Sequence, residues 1–301
     1  MFGTTSGGKG AMSDQSGAGG SPRVWFITGA SSGFGHALAV AAIAAGDVVI
    51  ATARNTGALQ QLVADTPDRV EAIPLDVTDP AAAQAAIRDV EARYGRIDVL
   101  VNNAGRGHVG AAEETTDEDL RSLFELHFFG PATLIRAVLP GMRERGTGVI
   151  VQMSSYGGQV AAAGFSSYAA TKFALEGYSE ALALEVGLLG IDVLIVEPGA
   201  FRTGFSGGSL GESTPIDAYA DTVGPTRAYI TGIDGTQPGD PTRAAAAVLT
   251  AIDSDRVPLR LPLGNDAVDG ITGHLHDVEQ ELRAWESLSR STDFDTRKAS
   301  T

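Results

Sequence analysis

The alternation of short apolar runs with longer Ala-rich or amphipathic segments constrains the fold of this chain more than any other feature, and it begins at Arg23. Short, continuous, β-branched runs bounded by turn residues predict strands. Strands that are apolar throughout are typical of parallel sheets that helices cover on both faces. The predicted strands are Val24–Thr28, Asp47–Ala53, Val70–Leu75, Ile97–Asn102, Val149–Ser154, Ile191–Glu197 and Pro258–Leu263.

The segments between these runs have helical composition. The predicted helices are His36–Ala45, Ala81–Tyr94, Glu118–Arg145 with a kink at Pro131, Tyr168–Leu189, Thr242–Ile252 and Asp266–Leu288. Strands that alternate with helices in this way form βαβ units. We therefore predict the α/β class, with a single Rossmann-like, doubly wound parallel sheet of about seven strands and helices on both faces.

The same rhythm predicts the domain organisation. Residues 1–21 are mostly Gly, Ser, Thr and Ala and predict a disordered tail. Residues 22–290 predict a single domain, because the sequence shows no internal repeat and no second core. Within it, the Gly- and Pro-rich stretch 204–240 is long for a loop and predicts a functional lid. Residues 291–301 predict a second flexible tail.

Composition and charge exclude several classes of partner. The net charge of −15 argues against nucleic acid, which needs a basic footprint. The absence of cysteine excludes disulfides, thiolate metal sites and a cysteine nucleophile, and the scattered histidines indicate no metal site. No apolar run is long enough to predict a membrane span, and no secretory signal is visible. We expect a soluble, cytoplasmic protein.

The first predicted strand runs directly into a glycine-rich turn that a helix follows. The turn is Thr28-Gly29-Ala30-Ser31-Ser32-Gly33-Phe34-Gly35. Glycine lets a backbone approach a pyrophosphate closely, and a helix N-terminus offers free N–H groups and a positive dipole end. The spacing G-xxx-G-x-G at this place predicts a dinucleotide site formed by Gly29, Ser31, Ser32, Gly33, Phe34 and Gly35.

The end of the second strand indicates which dinucleotide is bound. An acidic residue normally stands there and binds the adenosine ribose of NAD. Here Ala53 is followed by Arg54, which suits the 2′-phosphate of NADP through charge-assisted hydrogen bonds. We therefore predict NADP, with NAD as the alternative if Arg54 is only a solvated surface charge. Asp76 and Val77, after the third strand, are expected to contact the adenine.

A third pattern points to proton transfer. Tyr168 and Lys172 are four residues apart and share one face of a predicted helix. A nearby ammonium lowers the pKa of a phenol, which makes Tyr168 a candidate acid or base. Ser154 and Ser155 follow a strand, and the carboxyl ends of parallel strands meet at the ligand-binding edge of a sheet.

Together these pieces resemble the short-chain dehydrogenase/reductase superfamily, in the family's order and spacing, over about residues 23–290. Within it, the chain is similar to the 17β-hydroxysteroid dehydrogenase-like branch. The matching pieces are Thr28–Gly35, Asp76, Asn102-Asn103-Ala104-Gly105, Ser154-Ser155, Tyr168–Lys172 and Pro198-Gly199.

The resemblance implies an oxidoreductase that transfers a hydride between a nicotinamide and a ketone or secondary alcohol. It implies that Ser155 polarises the carbonyl, that Tyr168 is the acid or base, and that Lys172 holds the nicotinamide ribose and tunes Tyr168. It also implies contacts with the cofactor or with the central strand for Asn102, Asn103, Ala104, Gly105, Pro198, Gly199 and Thr203.

One position departs from the family pattern. Where the family usually has N-x-x-G in a long helix, this chain has His127-Phe128-Phe129-Gly130. The family's Asn helps to hold a water in a proton relay behind the Lys. Histidine also donates and accepts hydrogen bonds, so His127 is a candidate catalytic residue. The alternative is a structural histidine with a relay that runs elsewhere.

The substrate itself is not identified by any motif. We expect a pocket walled by Gln159–Phe165, with Gln159, Phe165, Phe201 and Phe205 as contacts, which suits a moderately hydrophobic ketone or alcohol. Arg106 and His108 are candidates for contact with a polar substrate group, or else solvated loop residues.

Two other functions remain open at this point. One is a catalytically idle protein that senses NADP(H) or acts through partners, because fold alone does not fix function. The other is a dehydratase or epimerase, which uses Tyr and Lys without net consumption of the nicotinamide. The resemblance also implies a homodimer or homotetramer that pairs through the helices carrying His127 and Tyr168.

Overall fold

The computed structural model describes residues 21–205 and 210–294. Residues 1–20 and 295–301 of the predicted tails, and residues 206–209 of the predicted lid, lie outside this description. The strands are β1 (Val24–Ile27), β2 (Val48–Ala53), β3 (Val70–Pro74), β4 (Val99–Asn102), β5 (His108–Val109), β6 (Gly148–Met153), β7 (Ile191–Pro198), β8 (Gly211–Glu212) and β9 (Arg260–Leu263). The α-helices are α1 (Gly33–Ala44), α2 (Gln60–Asp65), α3 (Pro80–Tyr94), α4 (Asp117–Phe124), α5 (Gly130–Arg145), α6 (Ser166–Val186), α7 (Gly224–Ile233), α8 (Pro241–Ile252) and α9 (Asn265–Arg290).

Seven of these strands form one parallel sheet in the order β3-β2-β1-β4-β6-β7-β9. The chain order reverses beside β1, so the first and fourth strands are neighbours there and a switch point opens at their carboxyl ends. The predicted fold class, a doubly wound Rossmann-like sheet with helices on both faces, is confirmed. The sequence did not predict the small parallel pair of β5 with β8.

Side-chain alternation along the strands divides the core into two layers. Trp25 and Ile27 of β1 face the layer that α1 and α8 cover. Phe26, between them, faces the layer that α3 and α5 cover. All three side chains are fully buried. Because both faces are covered, the strands are mostly apolar, as the sequence indicated.

The helix α3 shows how local sequence sets the element ends. The Asp79 carboxylate accepts hydrogen bonds from the N–H groups of Ala81 and Ala82, at 2.9 and 3.0 Å. Pro80 fills the first helical position, where a missing N–H costs nothing. Gly95 ends the helix in the left-handed region, with a φ of 75°.

The predicted long helix Glu118–Arg145 is interrupted, but not by a simple kink at Pro131. It consists of α4, a π-helical turn over Glu125–Phe129, and α5. Pro131 has no N–H, and its ring would clash with the carbonyl four residues earlier in a regular α-helix. The wider π turn directly before it accommodates this clash. It also places His127 in an irregular segment, which is often functional.

The described part of the predicted lid is folded onto the loop after β5. The buried Glu114 carboxylate accepts hydrogen bonds from the N–H groups of Ala111 and Ile216, both at 2.7 Å. It also pairs with Arg227 of α7 at 2.7 Å. The bonds to Ile216 and Arg227 connect the two segments that form one wall of the ligand-binding edge.

We expect Gly35→Ala to destabilise the fold, because a Cβ there would lie 2.4 Å from the Gly29 carbonyl oxygen and 2.5 Å from Asn103 Nδ2. Overpacking of this kind costs about 1–3 kcal/mol, which urea denaturation measures. The matched control is Gly273→Ala in α9, where a Cβ meets nothing within 4 Å. Ala stabilises a helix interior by about 1 kcal/mol over Gly. Equal losses of stability in the two variants would contradict this reading of the turn.

Candidate active site

The carboxyl ends of the parallel strands open into a single large cleft of about 1270 Å³. Its floor is the glycine-rich turn, the β4 and β6 ends and the first turns of α6, and its outer wall is the segment after β7. Of the predicted site residues, Gly35, Asn102, His108 and Gln159 do not line this cleft. The others do, and the structure therefore brings together groups that are far apart in the chain.

The glycine-rich turn is tied to the end of β4 by Thr28 and Asn103. The Thr28 hydroxyl accepts hydrogen bonds from the N–H groups of Asn103 and Ala104, at 2.9 and 3.0 Å. In return, Asn103 Nδ2 donates to the Thr28 carbonyl at 2.8 Å. Gly29 has a φ of 64°, and a Cβ there would lie 2.9 Å from the Ala104 Cα. Only glycine fits this close approach without strain.

The N-terminus of α1 points its free N–H groups toward the cleft. Ser32 is its N-cap and makes no side-chain capping bond, so these donors remain available for an anion. Ser31, Ser32, Gly33 and Phe34 all line the cleft. Gly35 is buried behind them and contributes close packing rather than contact.

The far end of the cleft carries Arg54, Asp76 and Val77. Arg54 directly follows β2, and its side chain is exposed. Asp76 accepts hydrogen bonds from the backbone and hydroxyl of Thr78, at 2.9 and 2.7 Å. These bonds lower the pKa of Asp76, and the charge of Arg54 acts in the same direction. A cation therefore stands where an adenosine ribose lies in folds of this type.

Ser155, Tyr168 and Lys172 meet at the centre of the cleft. Burial raises the pKa of Tyr168 to about 12, although a hydrogen bond with Ser155 acts in the opposite direction. Burial thus outweighs the lowering that the sequence predicted from Lys172, whose Nζ donates to the Met153 carbonyl at 2.9 Å. Nζ lies 5.7 Å from the centre of the Tyr168 ring. The phenol therefore keeps its proton at neutral pH and is prepared to donate it.

His127 lies behind Tyr168, and both of its ring nitrogens have protein partners. Nε2 accepts a hydrogen bond from the Arg106 N–H at 3.2 Å, and Nδ1 is 2.9 Å from the Thr171 hydroxyl. Burial, with the charges of Lys172 and Arg106, holds the pKa of His127 well below its usual range. The ring is therefore neutral and carries its proton on Nδ1. It contacts the Tyr168 ring edge-to-face, with ring centres 5.7 Å apart.

A buried charged cluster, which we call the Arg260 cluster, lies on the other side of Lys172. Glu176 accepts a hydrogen bond from the Ser154 hydroxyl at 2.6 Å and pairs with Arg260. Arg260 also pairs with Glu197 at 2.6 Å and Glu180 at 2.9 Å. Burial raises the pKa of Glu176 to about 7. The sequence analysis missed this cluster, although Tyr168, Lys172 and Glu176 are spaced four residues apart along one helix face.

The predicted substrate contacts separate into three groups. Phe165 and Phe205 flank Tyr168, with ring centres at 5.9 and 5.6 Å. Phe201 packs against Phe34 at 5.1 Å and therefore lines the cleft near the glycine-rich turn. Gln159 does not line the cleft, contrary to the expectation, because its amide turns away and donates to Glu197 at 2.6 Å.

Comparison with known proteins agrees with this geometry. The family model described as short chain dehydrogenase matches residues 23–210. The oxidoreductase BOA17 of Botryotinia fuckeliana (strain B05.10) is 39% identical over 268 residues, which cover 89% of this chain and 98% of that protein. The chain belongs to the short-chain dehydrogenase family. Its resemblance to this family and its assignment as an oxidoreductase are thus confirmed.

Solved structures of other dehydrogenases show the same fold. The crystal structure of a short-chain dehydrogenase from Streptomyces avermitilis has a TM-score of 0.87 and 61% identity, and covers 91% of this chain and 99% of that one. A serine dehydrogenase complexed with NADP+ has a TM-score of 0.69 and 28% identity, and covers 80% of this chain and 94% of that one.

The described part of this short-chain dehydrogenase contains neither a membrane-spanning helix nor a cluster of metal ligands. Between residues 21 and 294, the gap at 206–209 excepted, no helix is long and apolar enough to cross a bilayer. Within the same residues, no group of three or more His, Asp or Glu side chains is arranged to hold a metal ion.

We expect His127→Ala to lower the free energy of unfolding by about 2–4 kcal/mol, because it leaves a cavity and unpairs the Arg106 N–H. Urea denaturation measures this loss. If His127 also positions Tyr168, turnover falls by more than the folded fraction explains. A variant with unchanged stability and unchanged turnover would remove His127 from both roles.

Proposed function

We propose that the protein is an NADP-dependent oxidoreductase that transfers a hydride between the nicotinamide ring and a ketone or secondary alcohol. The observation that carries the proposal is the convergence of Ser155, Tyr168 and Lys172 on the cleft that begins at the glycine-rich turn. The polar groups of a reductase and the cradle of a dinucleotide thus share one space.

The residues of the cleft fit a dinucleotide. The uncapped N-terminus of α1 suits a pyrophosphate. A Cβ on residue 33 would lie 3.2 Å from the Thr203 Cβ, so the space above the turn depends on Gly33. When bound, the nicotinamide supplies or accepts the hydride. Pro198, Gly199 and Thr203 would border the nicotinamide, and Asn103, Ala104 and Gly105 would support the central part of the cofactor.

In the direction of carbonyl reduction, Tyr168 donates its proton to the carbonyl oxygen, and Ser155 donates a hydrogen bond to the same oxygen. The ammonium of Lys172 favours the phenolate that remains and holds the nicotinamide ribose. Burial lowers the pKa of Lys172 to about 8, while the charge of Glu176 opposes this change. Glu176 thus helps to keep Lys172 protonated at neutral pH.

The choice of NADP over NAD rests on Arg54. No carboxylate stands at the end of β2, where Ala53 and Arg54 take its place. The serine dehydrogenase, which is 28% identical, was complexed with NADP+. A guanidinium at this point recognises a phosphate by charge-assisted hydrogen bonds.

Assembly into a homodimer or homotetramer through the helices that carry His127 and Tyr168 belongs to the same proposal. Apolar side chains that a monomer exposes on these helices support it. The exposed fractions are 49% for Phe129, 45% for Phe173 and 85% for Leu184. Burial of such side chains against a second copy would stabilise the pair.

The cofactor preference is tested by titrating NADPH and NADH into the purified protein and following nicotinamide fluorescence. We expect NADPH to bind about tenfold to a hundredfold more tightly, since a charge-assisted phosphate contact is worth about 1.5–3 kcal/mol. Arg54→Ala should remove this preference and leave the affinity for NADH unchanged. Tighter binding of NADH would contradict the role of Arg54, and failure of the folded protein to bind either would overturn the proposed function.

The proton donor is tested by Tyr168→Phe. We expect turnover of a ketone to fall by at least about a thousandfold, because general acid catalysis and the phenolate are both lost. NADPH affinity should stay within about threefold of wild type, since the variant removes one hydroxyl from the cleft wall. Substantial residual turnover would assign the proton to another group. Turnover without net change of nicotinamide absorbance would indicate an epimerase or dehydratase instead.

A further inference from the structure

Arg106 occupies the rim of the cleft on the side of the substrate. Its N–H donates to His127 Nε2, and the His127 ring in turn contacts the Tyr168 ring. Its Nη2 donates to the Ser122 hydroxyl at 3.0 Å. The path of the side chain depends on Gly211, where a Cβ would lie 3.0 Å from Arg106 Nη1. The hydrogen bond to Ser122 and the space left at Gly211 thus define the path of the side chain along the cleft.

No carboxylate of the described residues pairs with Arg106. The bond to Ser122 is the one contact of its guanidinium in the described chain, which leaves most of its N–H donors free. The neighbouring Arg227 is different, since it pairs with Glu114 at 2.7 Å and lies 3.7 Å from Glu212. Arg54, at the adenosine end of the same cleft, likewise forms no ion pair within the described residues, and its proposed role is also to bind an anion.

The other charges that line the cleft lie at different places. Arg54 and Asp76 stand at the adenosine end, and Lys172 is bound to the Met153 carbonyl. Asp266 accepts a hydrogen bond from the Ala200 N–H at 2.6 Å, beside the end of β7. Among the described residues, Arg106 is thus the one formal charge of the substrate side.

The rest of that side is apolar. Phe165 and Phe205 flank Tyr168, and Leu210 and Ile230 line the same part of the cleft. Pockets of this kind bury an apolar body and use a small number of polar groups to fix its orientation. An unpaired guanidinium at the rim of an apolar pocket is suited to an anionic group at one end of the ligand.

We propose that the substrate carries a carboxylate, that Arg106 binds this carboxylate, and that the protein therefore acts on keto acids or hydroxy acids with an apolar body. The inference rests on the proposed function and names its substrate class. The carboxylate binds at the rim, the apolar body lies between Phe165 and Phe205, and the carbonyl then reaches Ser155 and Tyr168. Arg106 is a specificity residue and takes no part in proton transfer.

The proposal is tested with two pairs of probes: 4-acetylbenzoate and 6-oxoheptanoate, each beside its methyl ester, in an NADPH oxidation assay at pH 7. We expect kcat/KM for each acid to exceed that for its ester by about tenfold or more. Arg106→Gln should lower kcat/KM for the acids about tenfold to a hundredfold, chiefly through KM, and change the esters by less than about threefold. Arg106→Lys, which keeps the charge but loses the planar fork, should recover part of the loss.

Arg88→Gln is the matched control, because it removes the same charge from the exposed face of α3. It should leave both substrates unchanged. Equal losses for acids and esters in Arg106→Gln would show that the Arg106 side chain acts on the pocket as a whole and not on the carboxylate, and would overturn the proposal. Esters that wild type reduces as well as the acids would also overturn it.

Binding distinguishes failure of this proposal from failure of the proposed function. The affinity of 4-acetylbenzoate for the enzyme–NADPH complex is followed by nicotinamide fluorescence. Binding that is lost in Arg106→Gln, with no NADPH oxidation by any carbonyl, supports the carboxylate site and overturns the reductase. Oxidation of NADPH by the esters alone supports the reductase and overturns the carboxylate site. Absence of acid binding at millimolar concentration overturns the carboxylate site by itself.

Discussion

The hydrogen bonds between Thr28 and Asn103 are the interaction on which the site depends most. They join the end of β1 to the end of β4 at the switch point of the sheet. The Thr28 hydroxyl also donates to the Val101 carbonyl at 3.2 Å, so the side chain is fully satisfied in a buried position. With this connection in place, Gly29 can approach Ala104 closely, and the glycine-rich turn opens toward the cleft. Loss of either partner would leave buried polar groups unpaired beside the cofactor site.

The Arg260 cluster sets the electrostatics behind the catalytic lysine. Three carboxylates share one guanidinium, and two of them, Glu176 and Glu197, are buried. Buried charges are stable only when paired and hydrogen-bonded, and this requirement fixes the start of β9 against α6. The charge of Glu176 raises the pKa of Lys172 against the effect of burial. A cluster that holds two elements together thus also keeps the ammonium charged where a phenolate forms.

Local patterns in the sequence were sufficient to predict the sheet and the residues at its carboxyl edge. Each of the seven strands lies in a short, mostly apolar run, and the glycine-rich turn follows the first strand directly. The same reasoning placed Gln159 in the substrate pocket, although its amide turns to Glu197, 38 residues away. It likewise expected Lys172 to lower the pKa of Tyr168, whereas burial dominates. Such errors concern contacts between distant parts of the chain, which local periodicity does not encode.

The position of His127 depends on the same kind of long-range contact. The π turn aims its ring between the loop after β4 and the helix α6, where it accepts from Arg106 and donates to Thr171. Thr171 in turn donates to the Tyr168 carbonyl at 2.7 Å. This bond fixes which group donates and which accepts in each hydrogen bond from Arg106 through His127 to Thr171. Only a neutral imidazole can accept on one side and donate on the other here. Since burial and two neighbouring cations keep it neutral, His127 couples the rim that carries Arg106 to the helix that carries Tyr168. The proposed anchor of the substrate and the proposed proton donor are thus joined through the hydrogen bonds and ring contact of one buried side chain.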